Sequence, residues 1–391
     1  MYDVFETVQN RYDLQLMNYI FLIGAVQSFF FAAILYGKTT VSRPHRVLTL
    51  FFTLIGIILL NQFLEIRGIV FAYPHLLGIT YTLPILIGPI LYYYTLILTE
   101  ENKPRLAAFF SRHGIPFIVC SLYFLFNYYF LPADEKLEFY RRQTEGQTLL
   151  MVYVTEFFLN VSVPFYSVLS LIKLKKHLNR IKSRYSFTEE INLKWLSVIL
   201  LFFIGISAAM IITNILSDII PVFSVSKGDN IMYGSVALAI LFIGYYGIKQ
   251  KAIYPEGRGD SSGTTPARYA KSGFQVTGND PNLMQLINIM ESEKLYRNSK
   301  LSLHILAGKT GLTENNISQL INEGLKKNFY DFVNEYRVNE VKRIIKDRQH
   351  DHLTLLGIAI ECGFNSKSTF NSIFKKHTGM TPSQYKKSIS G

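Results

Sequence analysis

Seven runs of about 20 mostly apolar residues occupy the first 248 positions, at 18–36, 47–66, 75–98, 113–131, 149–172, 195–216 and 231–248. Stretches such as YIFLIGAVQSFFFAAILY and WLSVILLFFIGISAAMIITNIL offer water no polar face. A bilayer core about 30 Å thick takes about 20 residues of helix, and within it each backbone N–H and C=O must be satisfied inside the segment. The spacing therefore predicts a polytopic bundle of seven transmembrane helices. The first run does not read as a cleaved signal peptide, because its flank MYDVFETVQNRYD is acidic and no small-residue cleavage site follows.

Charge divides the chain. Of 391 residues 49% are hydrophobic and only 17% charged, yet the net charge is +12. Residues 249–391 hold 21 Lys and Arg against 13 Asp and Glu, a net +8. A membrane part (1–248) is thus followed by a linker (249–281) and a basic, soluble, all-helical part (282–391). The expected fold is all-α throughout. The linker stretch YPEGRGDSSGTTPARYAKSGFQVTGNDP is rich in Gly, Ser, Thr and Pro. It reads as a flexible spacer, with a docking element or a protease site as alternatives.

Lys and Arg in the short loops give the orientation. Loops 37–46, 99–112 and 173–194 hold thirteen; the N-terminus and loops 67–74, 132–148 and 217–230 hold six. The richer set is predicted to be cytoplasmic, with the N-terminus outside and residues 249 onward in the cytoplasm. Tyr92, Tyr93 and Tyr94 then fall near the inner end of the third helix, as interfacial anchors. Pro84 and Pro89 are expected to kink that helix.

Cys120 and Cys362 fall in different compartments, so no disulfide is expected within the chain, and no CxxC spacing occurs. The chain also lacks GxxxxGK[ST], HExxH and GxSxG patterns. No metal or cofactor is expected, and nothing argues for an enzyme.

The last 110 residues contain a weak repeat. In ILAGKTGLTENNISQLI, Ala307 precedes Gly311 by four; in GIAIECGFNSKSTFNSIF, Ala359 precedes Gly363 by four. A small residue lets two helices approach, and glycine permits the tight turn between them. Thr313 and Ser366 are N-cap types for the helices that follow. Ile317, Leu320 and Ile321 form an apolar stripe, as do Phe370, Ile373 and Phe374. On the opposite faces, Asn315, Ser318 and Gln319 match Ser368, Asn371 and Ser372 in offset. Side chains of these types pair with base edges, while Lys367, Lys375 and Lys376 suit bases or phosphates. Between the repeats, Phe329, Phe332, Val333, Tyr336, Val341, Ile344 and Ile345 make a helical stripe that would fix the spacing of two reading heads. Pro382 stands at a favoured first helical position after Thr381.

Segment 298–388 resembles the DNA-binding domain of the AraC/XylS transcription regulators. The match is strongest in IAIECGFNSKSTFNSIFKKHTGMTPSQYK, which follows the family's I-A…G-F…S-x-F…F-K-K…G-x-T-P-x-x-Y-[RK] pattern. The resemblance implies two helix-turn-helix units, sequence-specific binding of promoter DNA and contact with RNA polymerase. It assigns base reading to Asn315, Ser318, Gln319, Lys367, Ser368, Asn371 and Ser372. The family's common Arg is absent at Gln319 and Ser372, and Gly357 weakens its helix by about 1 kcal/mol relative to Ala. Seven membrane helices replace the usual small-molecule domain, a layout similar to membrane-anchored members of Bacteroidetes-type bacteria.

This layout predicts an inner-membrane, one-component regulator. Its partners would be promoter DNA, the lipid bilayer and a small-molecule or membrane signal, and a homodimer stays open. Rival readings are a transporter or intramembrane enzyme with a regulatory tail, and a membrane reservoir that releases its DNA-binding part by proteolysis. Intramembrane polar groups are costly and usually face the bundle interior or water. Gln62, Glu65, His75, Glu156, Asn160 and Asn214 lie toward the outer helix ends. They are candidates for one outward-opening sensor pocket, or for hydrogen bonds between neighbouring helices.

Overall fold

The computed structural model describes residues 2–38, 42–100, 102–144, 150–189, 191–217, 225–249, 280–347 and 353–390. Of these, 2–17, 144, 151, 214–217, 225–233 and 390 are described by their backbone alone. The predicted linker lies largely outside the described residues. Among the described residues every regular element is helical and no strand occurs. Two compact units form: 1–174 with 193–256, and 175–192 with 257–391. The basic loop predicted between the fifth and sixth membrane helices therefore belongs to the second unit.

The first unit comprises α1 (Tyr2–Tyr36), α2 (Arg43–Ile66), α3 (Ile69–Ala72), α4 (Ile87–Thr99), α5 (Leu106–His113), α6 (Ile115–Phe124), α7 (Ala133–Thr144), most of α8 (Leu150–Arg184), α9 (Lys194–Ser217) and α10 (Val225–Lys249). Within α1, α2, α8 and α9, the stretches Asn18–Tyr36, Arg43–Ile66, Val152–Arg184 and Lys194–Thr213 are long and apolar enough to cross a membrane. Leu106–His113 and Ile115–Tyr129 make a pair bent by 65°, while Leu83–Thr99 and Gly234–Lys249 are shorter apolar helices. Each of the seven apolar runs thus has a helical counterpart.

The third run departs from the simple expectation in two ways. It is not one kinked helix. Pro74–Leu76 and Leu83–Leu86 form 3-10 turns separated by a reversal at Gly78, and regular helix begins only at Ile87. Proline supplies no N–H and fixes its own φ, so Pro74 and Pro84 start short turns, while Pro89 fits the first turn of α4. Tyr94 is also not an interfacial anchor: it is buried in the core, edge-on to Trp195 at 6.4 Å.

Phe21, Phe51, Phe52, Leu59, Leu91 and Leu200 lie in the core of this unit. At Gly88 a Cβ would stand 2.6 Å from the Ser162 carbonyl oxygen, so only glycine lets α4 and α8 approach this closely. Ser162 Oγ donates to the Ile85 carbonyl at 2.8 Å across the same contact. Polar contacts gather at two ends. At one, Lys38 Nζ donates to Ile248 O at 2.8 Å, Tyr93 Oη donates to Pro104 O at 3.0 Å, and Lys173 pairs with Glu100 at 2.8 Å. At the other, Tyr140 hydrogen-bonds Glu65, Tyr81 Oη donates to Gln143 Oε1 at 3.3 Å, and Lys136 Nζ lies 3.3 Å from His75 Nδ1.

The second unit holds α11 (Pro281–Ser292), α12 (Leu303–Thr310), α13 (Glu314–Gln319), α14 (Phe329–Lys346), α15 (Leu355–Glu361), α16 (Lys367–Thr378) and α17 (Pro382–Ser390). Capping sets most of the starts. The side chains of Ser302, Thr313, Asn328, Thr354 and Ser366 accept from the backbone N–H three residues on. At α17, Thr381 Oγ1 accepts from Gln384 N while Gln384 Oε1 accepts from Thr381 N, a reciprocal capping box. α14 serves two cores. Phe329, Phe332 and Val333 pack with Leu306, Ile317 and Ile321; Val338, Val341 and Ile344 pack with Ala359, Phe370 and Phe374.

Gly363 makes the turn between α15 and α16 at φ +94°, and a Cβ there would stand 2.5 Å from Tyr296 O. Gly379, at φ +77°, meets nothing within 4 Å. Gly379→Ala should therefore cost only the left-handed backbone penalty, about 1 kcal/mol. Gly363→Ala should cost several-fold more, because the backbone at 296–297 must also move. Hydrogen exchange of the α15 and α16 amides in the full chain will rank the two, and equal protection in both variants would refute the close approach.

Candidate nucleic-acid interface

α12 and α13 form one helix-turn-helix, closed by Gly311 at φ +71°, and α15 and α16 form the other. In the second, the predicted stripe is inside: Phe370, Ile373 and Phe374 are buried. The opposite face is open, with Lys367, Ser368, Asn371, Ser372, Lys375 and Lys376 all exposed. Lys376 Nζ is held 2.7 Å from Asp331 Oδ1, whereas Asn371 and Ser372 point polar groups outward from the middle of the helix. Gly357, expected to weaken α15, sits in its first turn and donates its N–H to Thr354 Oγ1 at 3.0 Å, where the missing side chain matters least.

The first head differs from its sequence expectation. Asn315 is half-exposed, but Ser318 and Gln319 are only 6% and 4% exposed. Ser318 Oγ accepts from Asn322 Nδ2 at 3.2 Å, and Gln319 Nε2 donates to Glu323 Oε2 at 2.9 Å. Both bonds join residues four apart, at the point where α13 passes into a π-helical turn at Leu320–Gly324. Among the described residues the open polar face is that of α16, while Ser318 and Gln319 on α13 are buried.

The two heads are joined by a buried cation that sequence reading missed. Arg337 is 2% exposed, and among the described residues no carboxylate pairs with it. Its guanidinium donates to Tyr296 O at 2.7 Å, Asn298 O at 2.8 Å, Asn334 Oδ1 at 3.3 Å, Ser186 O at 3.2 Å and Ser186 Oγ at 3.0 Å. Burial lowers its pKa to about 10, so it stays charged near neutrality. A faint signal existed. Arg337 lies four residues after Val333 and four before Val341, on the apolar stripe itself.

Beside it, Glu340 accepts from Arg343 and Arg297. Those bonds hold its carboxyl down to about 2, and burial opposes them. Burial pushes the Cys362 thiol up to about 12, which leaves it protonated and inert in the core of the second head.

Of the residues proposed from sequence for a sensor, Glu65 and His75 reach one aromatic cluster at the Glu65 end of the first unit. Lys136, beside His75, lies 5.5 Å over the Tyr128 ring, and Tyr81 stacks on Tyr128 at 5.9 Å. Gln62 on α2 and Asn160 on α8 are half-buried. Glu156 is exposed, on the side of α8 that also exposes Tyr153 and Phe157. The Asn214 side chain lies outside the described residues.

This fold and site define a helix-turn-helix domain, and residues 306–388 match the helix-turn-helix domain family. An uncharacterized HTH-type transcriptional regulator of Staphylococcus aureus (strain COL) is 32% identical over 108 residues, 28% of this chain and 14% of that protein. The probable transcription factor PqrA of Proteus vulgaris is 26% identical over 93 residues, 24% of this chain and 74% of that protein. The melibiose operon regulatory protein of Escherichia coli (strain K12) is 29% identical over 87 residues, 22% of this chain and 28% of that protein. The chain thus spans only about 14% of the length of the first of these relatives.

A pH dependence follows from Glu340. Its folded pKa lies near 2 against an ordinary 4.5, so its contribution is full above pH 4.5 and is lost as pH falls toward 2. Glu340→Gln should cost the second unit about 2 kcal/mol at pH 7. Amide exchange in α14 of the full chain should show the two proteins far apart at pH 7, with the gap narrowing below pH 4.5 and closing only as pH falls toward 2. A pH-independent gap would mean that packing, not the carboxylate, was lost.

Proposed function

We propose that the chain is a membrane-embedded, one-component transcription regulator of AraC type. Its second unit binds promoter DNA, and its helical bundle reads a signal. The observation that carries this reading is the open row Lys367, Ser368, Asn371, Ser372 and Lys375 on α16. That helix has a buried opposite face and lies inside the segment matching the helix-turn-helix family. Asn and Ser can satisfy base edges in a major groove, and Lys neutralises phosphates. Asn315 would read for the first head. Ser318 and Gln319 would join only by exchanging their bonds to Asn322 and Glu323 for bases, and Lys376 only by leaving Asp331.

The membrane reading is supported by what the first unit leaves outside. Phe30, Phe157, Leu201 and Phe242 are 59%, 59%, 58% and 64% exposed, on elements that each match an apolar run. Apolar surface costs about 25 cal/mol per Å² in water and nothing comparable in lipid. The orientation is supported by the grouping of loop 175–192 with residues 257–391, because α9 and α10 supply two crossings between them and so return the chain to the same side. That side is the cytoplasm, where RNA polymerase would be met. Sensing is supported by the Glu65–Tyr140 and His75–Lys136 contacts at the opposite end, around a Tyr128 hydroxyl that finds no partner among the described residues.

Two measurements bear on this. In lipid nanodiscs the full chain should bind duplex DNA selected from a random library. Asn371→Ala should reduce preference for the selected sequence by about 1–3 kcal/mol, and Lys375→Ala should weaken selected and random duplexes alike. If neither substitution alters binding, α16 is not the reading helix. Reporter fusions after residue 249 should behave as cytoplasmic and fusions within 132–144 as external; the opposite pattern would remove the regulator reading.

A further inference from the structure

Residues 185–189 occupy the second unit much as a bound peptide would. Tyr185 makes an isolated antiparallel bridge with Ser302. Ser186, 1% exposed, donates its N–H to Leu301 O at 3.1 Å and its hydroxyl to the same oxygen at 2.8 Å. From the other side, Asn334 Nδ2 donates to Ser186 O at 3.4 Å, beside the two bonds from Arg337 to Ser186. Thr188 hydrogen-bonds Tyr330, and the Lys182 ammonium lies 5.7 Å over the Tyr330 ring. The crevice between segment 296–302 and α14 is therefore a peptide-binding surface whose occupant is this chain's own segment. A buried guanidinium left short of acceptors is costly, and Ser186 supplies two of its five.

The occupant ends at the reading helix. Ser366, the N-cap of α16, donates its hydroxyl to Glu189 Oε1 at 2.6 Å and also lies 3.0 Å from Ser368 Oγ. Ser368 belongs to the open row of α16. A helix N-terminus with exposed hydroxyl and lysine neighbours is where a nucleic-acid phosphate would be received. A carboxylate and a phosphate cannot share one donor at that distance without strong repulsion.

We infer that segment 185–189 is a resident ligand of the DNA-binding unit, and that Glu189 competes with DNA for the N-terminal end of α16. The inference rests on α16 being the DNA-facing helix. The segment joins α8 to α9, two of the apolar helices, so a signal that draws it away from Arg337 and Ser366 opens α16 to DNA.

The test uses the full chain in nanodiscs and a fluorescein-labelled 40-base-pair duplex of random sequence at about 50 mM salt, where phosphate contacts dominate binding. Glu189→Gln should tighten binding about five-fold, and Glu189→Lys further. Hydrogen exchange gives an independent reading. The Ser186 amide, protected by Leu301 O, should become faster-exchanging when DNA saturates the wild-type chain. Unchanged or weaker binding by Glu189→Gln, or Ser186 protection that persists at saturating DNA, overturns the competition. Lys375→Ala separates the two levels. If it weakens binding while Glu189→Gln has no effect, only the competition fails. If neither substitution moves binding, the reading of α16 fails and takes the competition with it.

Discussion

A positive charge that no carboxylate among the described residues pairs sits where the parts of the second unit meet. Arg337 spends its donors on three backbone carbonyls, one amide oxygen and one hydroxyl. These acceptors come from α14 itself, from segment 296–298 and from Ser186 in the loop that follows α8. Because a buried ion tolerates no missing partner, the segments are held to one arrangement. Gly363 depends on that arrangement: a Cβ added at its turn would stand 2.5 Å from the Tyr296 carbonyl, on backbone that Arg337 and the Arg297–Glu340 pair hold against α14. The orientation of α16 thus follows from interactions made on its far side.

The first unit solves a different problem with the same economy of polar groups. Its core is mainly apolar, and its charged and tyrosine hydrogen bonds collect at two ends. One end carries Lys38, Tyr93, Glu100 and Lys173; the other carries Glu65, His75, Tyr81 and Lys136. Such segregation would suit a slab of hydrocarbon. It also gives the two ends different chemistry. One is a set of lysines beside carbonyls and a carboxylate. The other is an aromatic box around a carboxyl, an imidazole and an ammonium.

Much of this was legible because it rests on periodicity and local chemistry. The apolar runs, the glycine turns at Gly311 and Gly363, the caps at Thr313 and Ser366 and the inner stripes of both heads are short-range patterns, and the structure contains them. Three things were not legible. Ser318 and Gln319 are buried beside a π-helical turn at Leu320–Gly324, and no residue spacing announces either that turn or their burial. The general cost of charge in lipid left Glu156 between an outward-opening pocket and a bond to a neighbouring helix, and did not show that its helix exposes it beside Phe157. The docking of Ser186 joins residues more than a hundred positions apart, and its only trace was a charged residue, Arg337, on an apolar stripe.

That long-range contact need not be strong to matter. Each hydrogen bond nets only about 1 kcal/mol, and several are made by one serine. But the segment is covalently part of the chain, so it competes at an effective concentration in the millimolar range rather than as a free peptide. Non-specific duplex binds domains of this kind with dissociation constants of about 10⁻⁴ to 10⁻⁶ M, and a matched site binds far more tightly. A tethered carboxylate of modest intrinsic affinity therefore suppresses non-specific occupancy and yields to a matched sequence. The balance between the two is set by how firmly Ser186 stays on Arg337. A small change in α8 or α9 that costs one or two of those bonds is enough to shift it by about ten-fold, since 1.4 kcal/mol is a factor of ten.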